Sequence, residues 1–152
     1  MDVSYVNPFI TATVNSFKTL MGLELTRGKI AIKTPATPGY DYSASIGISG
    51  EAKGFISVCY PGTLAEKLVS MMLGQEVKKG SQDLVDGIGE ISNIIAGNAK
   101  QYLTQYKVSI SLPNVVAGTN HDVNGRSDVP VIMVPFTCPH GELTLEVSLK
   151  TP

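Results

Sequence analysis

The sequence has no tryptophan, only two cysteines and two histidines, and no excess of charge of either sign. A formal net charge of −1 gives no electrostatic footprint for nucleic acid or for an anionic membrane. Aromatic residues make up 7% of the chain, which argues against a platform for stacking bases. No apolar run approaches the roughly 20 residues that span a bilayer. We therefore expect no nucleic-acid partner and no membrane insertion.

The two cysteines, Cys59 and Cys138, are isolated from each other in the sequence. No basic segment followed by an apolar stretch indicates a signal peptide. We therefore expect a cytoplasmic protein with two free thiols, a Cys59–Cys138 disulfide being the less favoured alternative. No cluster of His and Cys has the spacing of metal ligands, so no metal site is predicted.

The composition is that of a folded chain, because 43% of the residues are hydrophobic and 16% are charged. A length of 152 residues predicts one domain, 1–152, with one core. Periodicity and turn residues divide this domain into two similar halves.

The first half is predicted to contain a helix, a strand, a hairpin and a second helix. Asn7 is the expected N-cap of the first helix, with Pro8 at the first helical position, and Gly22 is typical of a helix end. Thr63 and Glu66 have the spacing of a capping box. The predicted elements are a helix over 7–21, a strand over 25–33, hairpin strands over 43–49 and 54–60, and a helix that starts at Thr63 and stops at Gly74.

The second half repeats the order of helix, strand and hairpin after a polar linker over 75–81. Ser81 is the expected N-cap of a helix over 82–102. Pro130 and Pro135 indicate that their strand is irregular or lies at an edge. The remaining predicted elements are a strand over 108–112 that stops at Pro113, a polar loop over 119–128, and hairpin strands over 129–137 and 142–150.

This order predicts an α+β fold of two pseudo-repeated helix-strand-hairpin halves. Its helices would pack against a mostly antiparallel sheet. Glycine-rich strands with few charges could also pair across a subunit boundary.

A polar stripe follows one side of the second-half helix. Asp86, Glu90, Asn93 and Gly97 recur at helical spacing, so the Glu90 carboxylate and the Asn93 amide lie side by side. The opposite side is apolar and is predicted to be buried. Its residues are Leu84, Ile88, Ile91, Ile95, Ala99 and Leu103.

The stripe could be only a solvated helix surface, which is the usual role of polar helix positions. Gly87, Gly89 and Gly97 argue against this, because each costs about 1 kcal/mol of helix stability relative to alanine. Glycines beside a polar stripe indicate that another surface approaches the helix backbone closely.

Other polar residues point to weaker alternatives. His121, Asp122 and Asn124 lie in the predicted polar loop, where they could gate a small-ligand site, bind a metal or serve in acid-base chemistry. His140 is most simply a turn residue. The sequence contains no phosphate-binding loop, dinucleotide fingerprint or nucleophile elbow.

The segment GIGEISNIIAGN at 87–98 resembles the signature helix of the CheX/CheC/FliY family, phosphatases that act on the response regulator CheY. The family motif contains an acidic residue or serine, then Glu, Asn and a later Pro. Asp86, Glu90, Asn93 and Pro113 fill those places. The resemblance covers essentially the whole chain and implies a CheC-like fold.

The chain resembles the CheX type within this family. CheC-type members can carry a Glu/Asn pair in each half, whereas the first helix here has Asn15 preceded by Ala12. The resemblance therefore implies one Glu/Asn pair per chain and a homodimer.

By this resemblance the protein is a phosphatase for the aspartyl phosphate of a CheY-type receiver. Asn93 would orient the attacking water, and Glu90 would dock on the receiver's lysine. Asp86, Gly89, Gly97 and Pro113 would contact the partner. The chain itself would bind no cofactor, and Mg²⁺ would belong to the receiver. The alternative is a module of the same fold that docks a receiver or a flagellar-switch component without hydrolysis.

Overall fold

A computed structural model describes residues 4–35, 37, 39–121 and 129–152. These residues form a short 3₁₀ turn at Ser4–Val6, three α-helices and eight β-strands. The helices are α1 (Asn7–Met21), α2 (Leu64–Leu73) and α3 (Gln82–Tyr102). The strands are β1 (Thr26–Arg27), β2 (Ala31–Ile32), β3 (Tyr40–Gly50), β4 (Lys53–Tyr60), β5 (Val108–Ile110), β6 (Asn114–His121), β7 (Ile132–Cys138) and β8 (Gly141–Lys150).

The strands form one sheet in which each described pairing is antiparallel. Hairpins β3–β4 and β7–β8 meet through β4 and β8 at the centre. The short strands that precede each hairpin pair with the outer strand of the other hairpin: β1 and β2 with β7, and β5 and β6 with β3. Each half therefore contributes strands that border the hairpin of the other half. This arrangement confirms the predicted α+β fold with two similar halves.

The core lies between the helices and one face of the sheet. Alternate residues of β8 point toward it, as the alternating sequence predicts, and all four are buried. They are Leu143, Leu145, Val147 and Leu149. Ile46 of β3 and Ile56 of β4 continue the same apolar layer, which the helices cover.

The opposite face of the sheet carries buried polar groups. Glu146 of β8 is fully buried and accepts a hydrogen bond from the Tyr40 hydroxyl at 2.7 Å. Its other carboxylate oxygen lies 3.0 Å from the Lys33 ammonium. A buried carboxylate requires such partners. This cluster joins the second hairpin to the chain segment that follows β2.

The predicted strand over 25–33 is wrong in its middle, where residues 28–30 separate β1 from β2. The outer side of β7 is therefore bordered by two short strands. At the gap, the Gly28 N–H donates to the Pro135 carbonyl at 2.8 Å. A Cβ at position 28 would lie 3.0 Å from Pro135 Cγ, so the proline ring leaves little room for a side chain at this position. β7 itself is unbroken from Ile132 to Cys138 and is paired on both sides, so the predicted irregular or edge position of this strand is wrong, and the break lies in its neighbours β1 and β2.

In the second half the predicted strand over 108–112 ends earlier, at Ile110, and a strand that the sequence pattern does not predict, β6, begins at Asn114. Residues 111–113 separate β5 from β6. Pro113 lies in this gap, and it has no N–H to donate to the sheet. β6 continues to His121, so the predicted loop over 119–128 begins as strand. Asp122 and Asn124 lie outside the described residues, as does the His121 side chain.

The predicted capping box at Thr63 is also wrong. Its hydroxyl makes no capping hydrogen bond, because the Thr63 backbone (φ −104°, ψ 11°) departs from the extended conformation of most N-caps. Glu66 instead accepts a hydrogen bond from the Tyr42 hydroxyl at 2.9 Å. Cys59 and Cys138 are both thiols in the structure, Cys59 being buried and Cys138 half-buried.

Candidate active site

The candidate site lies on α3, whose start and orientation follow from its sequence. The Ser81 hydroxyl accepts a hydrogen bond from the Leu84 N–H at 3.2 Å, which confirms the predicted N-cap. The apolar side of the helix is buried as predicted, from Leu84 at 1% exposure to Leu103 at 7%. Because this side of α3 is buried against the core, the opposite, polar side faces outward.

Two side-chain contacts hold α3 against its neighbours. The buried Ser92 hydroxyl donates to the Ala44 carbonyl of β3 at 2.9 Å. The Asn98 amide donates to the Ser16 hydroxyl of α1 at 3.2 Å. Because Ser92 and Asn98 flank Asn93 in the sequence, the rotation of the helix around Asn93 is fixed from two directions.

The structure gives the glycines of α3 a different meaning from the predicted one. A Cβ on Gly87 would lie 2.4 Å from Val69 Cγ1, so α2 occupies that space. A Cβ on Gly89 would lie 3.2 Å from Pro113 Cγ and 3.3 Å from Val115 Cγ2. The chain itself therefore makes the close approach at Gly87 and Gly89. Of the three α3 glycines, Gly97 alone has no described atom within 4 Å of the place where a Cβ would lie.

A shallow groove runs between α3 and the chain that follows β5. One wall is polar and comes from α3, and the other is apolar and comes from the 111–113 gap and the start of β6. The groove encloses about 480 Å³ and is open to solvent. It is lined by Val85, Asp86, Gly89, Glu90, Asn93, Leu112, Pro113 and Val115.

The groove brings together five of the six predicted site residues. Asp86, Gly89, Glu90, Asn93 and Pro113 line it, and Gly97 lies outside it, one helical turn beyond Asn93. Pro113 takes part although it is distant in sequence, because β5 pairs with β3 beneath α3. Sequence reasoning missed three lining residues, namely Val85, Leu112 and Val115.

The polar wall carries two carboxylates one turn apart. Asp86 accepts a hydrogen bond from the Gln82 amide at 2.8 Å, so one of its oxygens is engaged within the helix. Glu90 is exposed and Asn93 is half-buried. In the parts of the chain that the structure describes, no hydrogen bond or ion pair engages either side chain. Both are thus available to a group that enters the groove.

A second cavity of about 410 Å³ lies on the other side of Val85. It contains the Tyr42–Glu66 hydrogen bond together with Asp41 and Lys79. Burial, followed by the bond to Glu66, raises the pKa of Tyr42 to about 12. Tyr42 is therefore a neutral hydrogen-bond donor at physiological pH.

The described ranges of the chain hold neither a metal-binding cluster nor a membrane-spanning helix. These ranges contain no group of three or more His, Cys, Asp or Glu side chains arranged to hold a metal ion. They also contain no helix long and apolar enough to cross a membrane.

Comparison with known proteins places the chain in a family. The family model described as "Chemotaxis phosphatase CheX" matches residues 42–137, which is more than half of the chain and includes both walls of the groove. This chain belongs to the CheX family. A curated protein named "CheY-P phosphatase CheX" from Thermotoga maritima is 26% identical over 155 residues, and the match spans 99% of each chain.

Solved structures of CheX proteins share the fold. The chemotaxis protein CheX from Desulfovibrio desulfuricans is 32% identical with a TM-score of 0.88, over 99% of this chain and 100% of that one. The CheX in a CheX-CheY-BeF₃-Mg²⁺ complex from Borrelia burgdorferi is 20% identical with a TM-score of 0.84, over 98% of this chain and 99% of that one. At 20% identity, the comparison with the Borrelia burgdorferi protein shows a shared fold.

Proposed function

We propose that this protein hydrolyses the aspartyl phosphate of a CheY-type response regulator. Membership of the CheX family supports this proposal, as does the relative named for CheY-P phosphatase activity. The observation that carries it is the groove itself, in which Glu90 and Asn93 of α3 face Pro113 with no partner within the described chain.

Asn93 is assigned the role of orienting the attacking water. An acyl phosphate hydrolyses when water is held in line with the leaving oxygen, so positioning matters more than new covalent chemistry. A neutral amide offers both a donor and an acceptor to one water. A carboxylate at the same position would repel the phosphoryl oxygens. The fixed rotation of α3 would keep this amide in place at no further entropic cost.

Glu90 is assigned to docking on a lysine of the receiver. Asp86 and Glu90 are like charges at i and i+4, an arrangement that destabilises an isolated helix slightly. A cation from a partner would relieve this repulsion and form a charge-assisted hydrogen bond with Glu90. The Mg²⁺ of the reaction is assigned to the receiver, where it would neutralise charge on the phosphoryl group.

The partner-facing surface is proposed to include Asp86, Gly89, Gly97 and Pro113. Gly89 and Pro113 shape the groove by packing on each other. Gly97 leaves open space beside the helix, which would let the partner approach its backbone. The family resemblance further supports a homodimer, to be checked by light scattering, and a cytoplasmic location where receivers operate.

The test is loss of phosphate from an acetyl-phosphate-charged CheY-type receiver encoded in the same genome, with and without this protein. We expect acceleration by the wild type. Asn93→Ala should lower that acceleration by about 100-fold or more, because it removes a group needed only in the transition state. Glu90→Ala should weaken receiver binding instead.

Two results would contradict the proposal. Hydrolysis by Asn93→Ala at the wild-type rate would remove the assigned role of the amide. Binding of charged receivers without any acceleration would favour the docking module.

A further inference from the structure

Leu112 is an exposed leucine beside the candidate site. Its relative exposure is 87%, against 53% for the next most exposed large apolar residues described, Ile32 and Tyr102. It lies in the gap between β5 and β6 and lines the groove opposite Glu90. An apolar side chain so exposed at the rim of a polar groove has no role in the core.

The backbone that carries Leu112 is held firmly on both sides. The Ser111 N–H donates to the Gly47 carbonyl at 2.9 Å, and its hydroxyl accepts from the Gly47 N–H at 2.8 Å. The same hydroxyl donates to the Leu112 carbonyl at 2.9 Å. On the other side, Pro113 packs against Gly89. The exposure of Leu112 is therefore built into the fold.

The first half of the chain supplies a structural counterpart for this position. Residues 28–30 separate β1 from β2 as residues 111–113 separate β5 from β6, and each gap is fixed by the same kind of bond. Gly28 donates to the carbonyl of Pro135 at 2.8 Å, as Ser111 donates to that of Gly47 at 2.9 Å. The residue after Gly28 is Lys29, which is exposed. Leucine thus stands in the second half where the first half has an ordinary solvated lysine.

We propose that Leu112 is an apolar anchor for the face of the receiver that surrounds its phosphoryl group. This inference rests on the proposed function. The groove pairs a carboxylate wall with an apolar wall, so the complementary receiver surface has an apolar side chain next to a cation. Leu112, with Pro113 and Val115, meets the apolar part, while Asp86 and Glu90 meet the cation. Central apolar contacts of this kind carry much of an interface's binding energy.

The test compares Leu112→Lys with the wild type. Lysine is the residue that the counterpart position accepts, so the variant should fold and melt like the wild type. Two quantities are measured. One is the dissociation constant for a CheY-type receiver of the same genome loaded with beryllofluoride and Mg²⁺. The other is the rate of phosphate loss at saturating receiver. Ile32→Lys, on β2 at the other edge of the sheet, is the matched control.

We expect Leu112→Lys to raise the dissociation constant and KM by about tenfold or more and to leave kcat unchanged, because the anchor binds ground and transition states alike. Ile32→Lys should change neither. Wild-type affinity for Leu112→Lys would overturn the inference and leave the phosphatase proposal standing. A changed molecular mass of Leu112→Lys in light scattering would also overturn it, because the leucine would then contact a second copy. Failure of the wild type to hydrolyse any receiver would instead overturn the proposed function.

Discussion

Both halves of the molecule run from a helix through two strands to a hairpin, with α2 following only the first, yet the solvent sides of α1 and α3 differ. α1 contains no Asp or Glu, and Ala12, three residues before Asn15, is 1% exposed in the core. α3 has exposed Glu90 three residues before Asn93. A shared architecture therefore does not place the same candidate residues in both halves. The site depends on which residues the outward face of one helix carries.

The two helices also differ in how deeply they are enclosed. α1 has no glycine, whereas α3 has three. Gly87 lets α2 pack closely on α3, and Gly89 lets Pro113 and Val115 do the same. The helix that carries the candidate catalytic residues is thus the one that is fixed by its surroundings on several sides. Rigid support of this kind is what a water-positioning group requires.

The largest effect on stability is expected where the halves are joined. Glu146→Ala removes the partner of Lys33 and Tyr40, whose contacts with Glu146 cross from one half to the other. The Lys33 and Glu146 side chains are 8% and 0% exposed, so the substitution removes a buried carboxylate and its ion pair. We expect a loss of about 3–5 kcal/mol in the free energy of unfolding, measured by urea denaturation.

Glu142→Ala is the matched control, because Glu142 lies on the same strand and is exposed. Equal stabilities for the two variants would show that the buried cluster does not hold the halves together.

A smaller effect should separate two glycines of α3. Gly87→Ala places a methyl group against the stiff Val69 side chain and should destabilise the protein by about 1–3 kcal/mol. Gly97→Ala meets no described atom and should stabilise the helix by up to about 1 kcal/mol, while weakening receiver binding. Thermal unfolding and a binding titration measure the two effects. Destabilisation by both substitutions would contradict the distinction between a packed and an open glycine.

The smallest effect concerns alkaline pH and the first hairpin. Burial, with the bond to Glu66, raises the pKa of Tyr42 from 10.0 to about 12. As the pH rises, the unfolded state therefore releases the Tyr42 proton before the folded state does. The contribution of Tyr42 to the free energy of unfolding is fully present below pH 10 and is lost as the pH rises through 12. Unfolding free energies across this range should fall less steeply for Tyr42→Phe than for the wild type. Parallel curves would contradict the raised pKa.

Sequence periodicity predicts the helices well, because their signals are local. Asn7 is the first helical residue of α1 rather than the predicted N-cap, because Val6 occupies the cap position and makes no side-chain capping bond. Gly22 ends the helix in the left-handed conformation (φ 68°) of a C-cap, as predicted. Ser81 sets the start of α3. The polar stripe and the position of Pro113 in the motif identify most of the groove in advance.

Features that depend on distant contacts are not predictable in this way. Nothing near Gly28 in the sequence shows that Pro135 lies against it, so the pattern predicts one continuous strand where the structure has a broken one. Glu66 of α2 has the spacing to cap with its near neighbour Thr63, but its carboxylate accepts a hydrogen bond from Tyr42 of β3 instead. The glycines at 87 and 89 indicate a close approach without indicating that the chain itself makes it. The exposure of Leu112 is visible only in the folded sheet.

Two substitutions, Asn93→Ala and Asn15→Ala, one in each half, test most directly whether the protein has a single site on α3. Each variant is mixed with the same CheY-type receiver, and both phosphate loss and binding to its beryllofluoride form are measured. We expect Asn93→Ala to bind as the wild type does and to lose about 100-fold or more in rate, while Asn15→Ala keeps both properties. A wild-type rate for Asn93→Ala, or an equal loss for Asn15→Ala, would contradict a single site on α3.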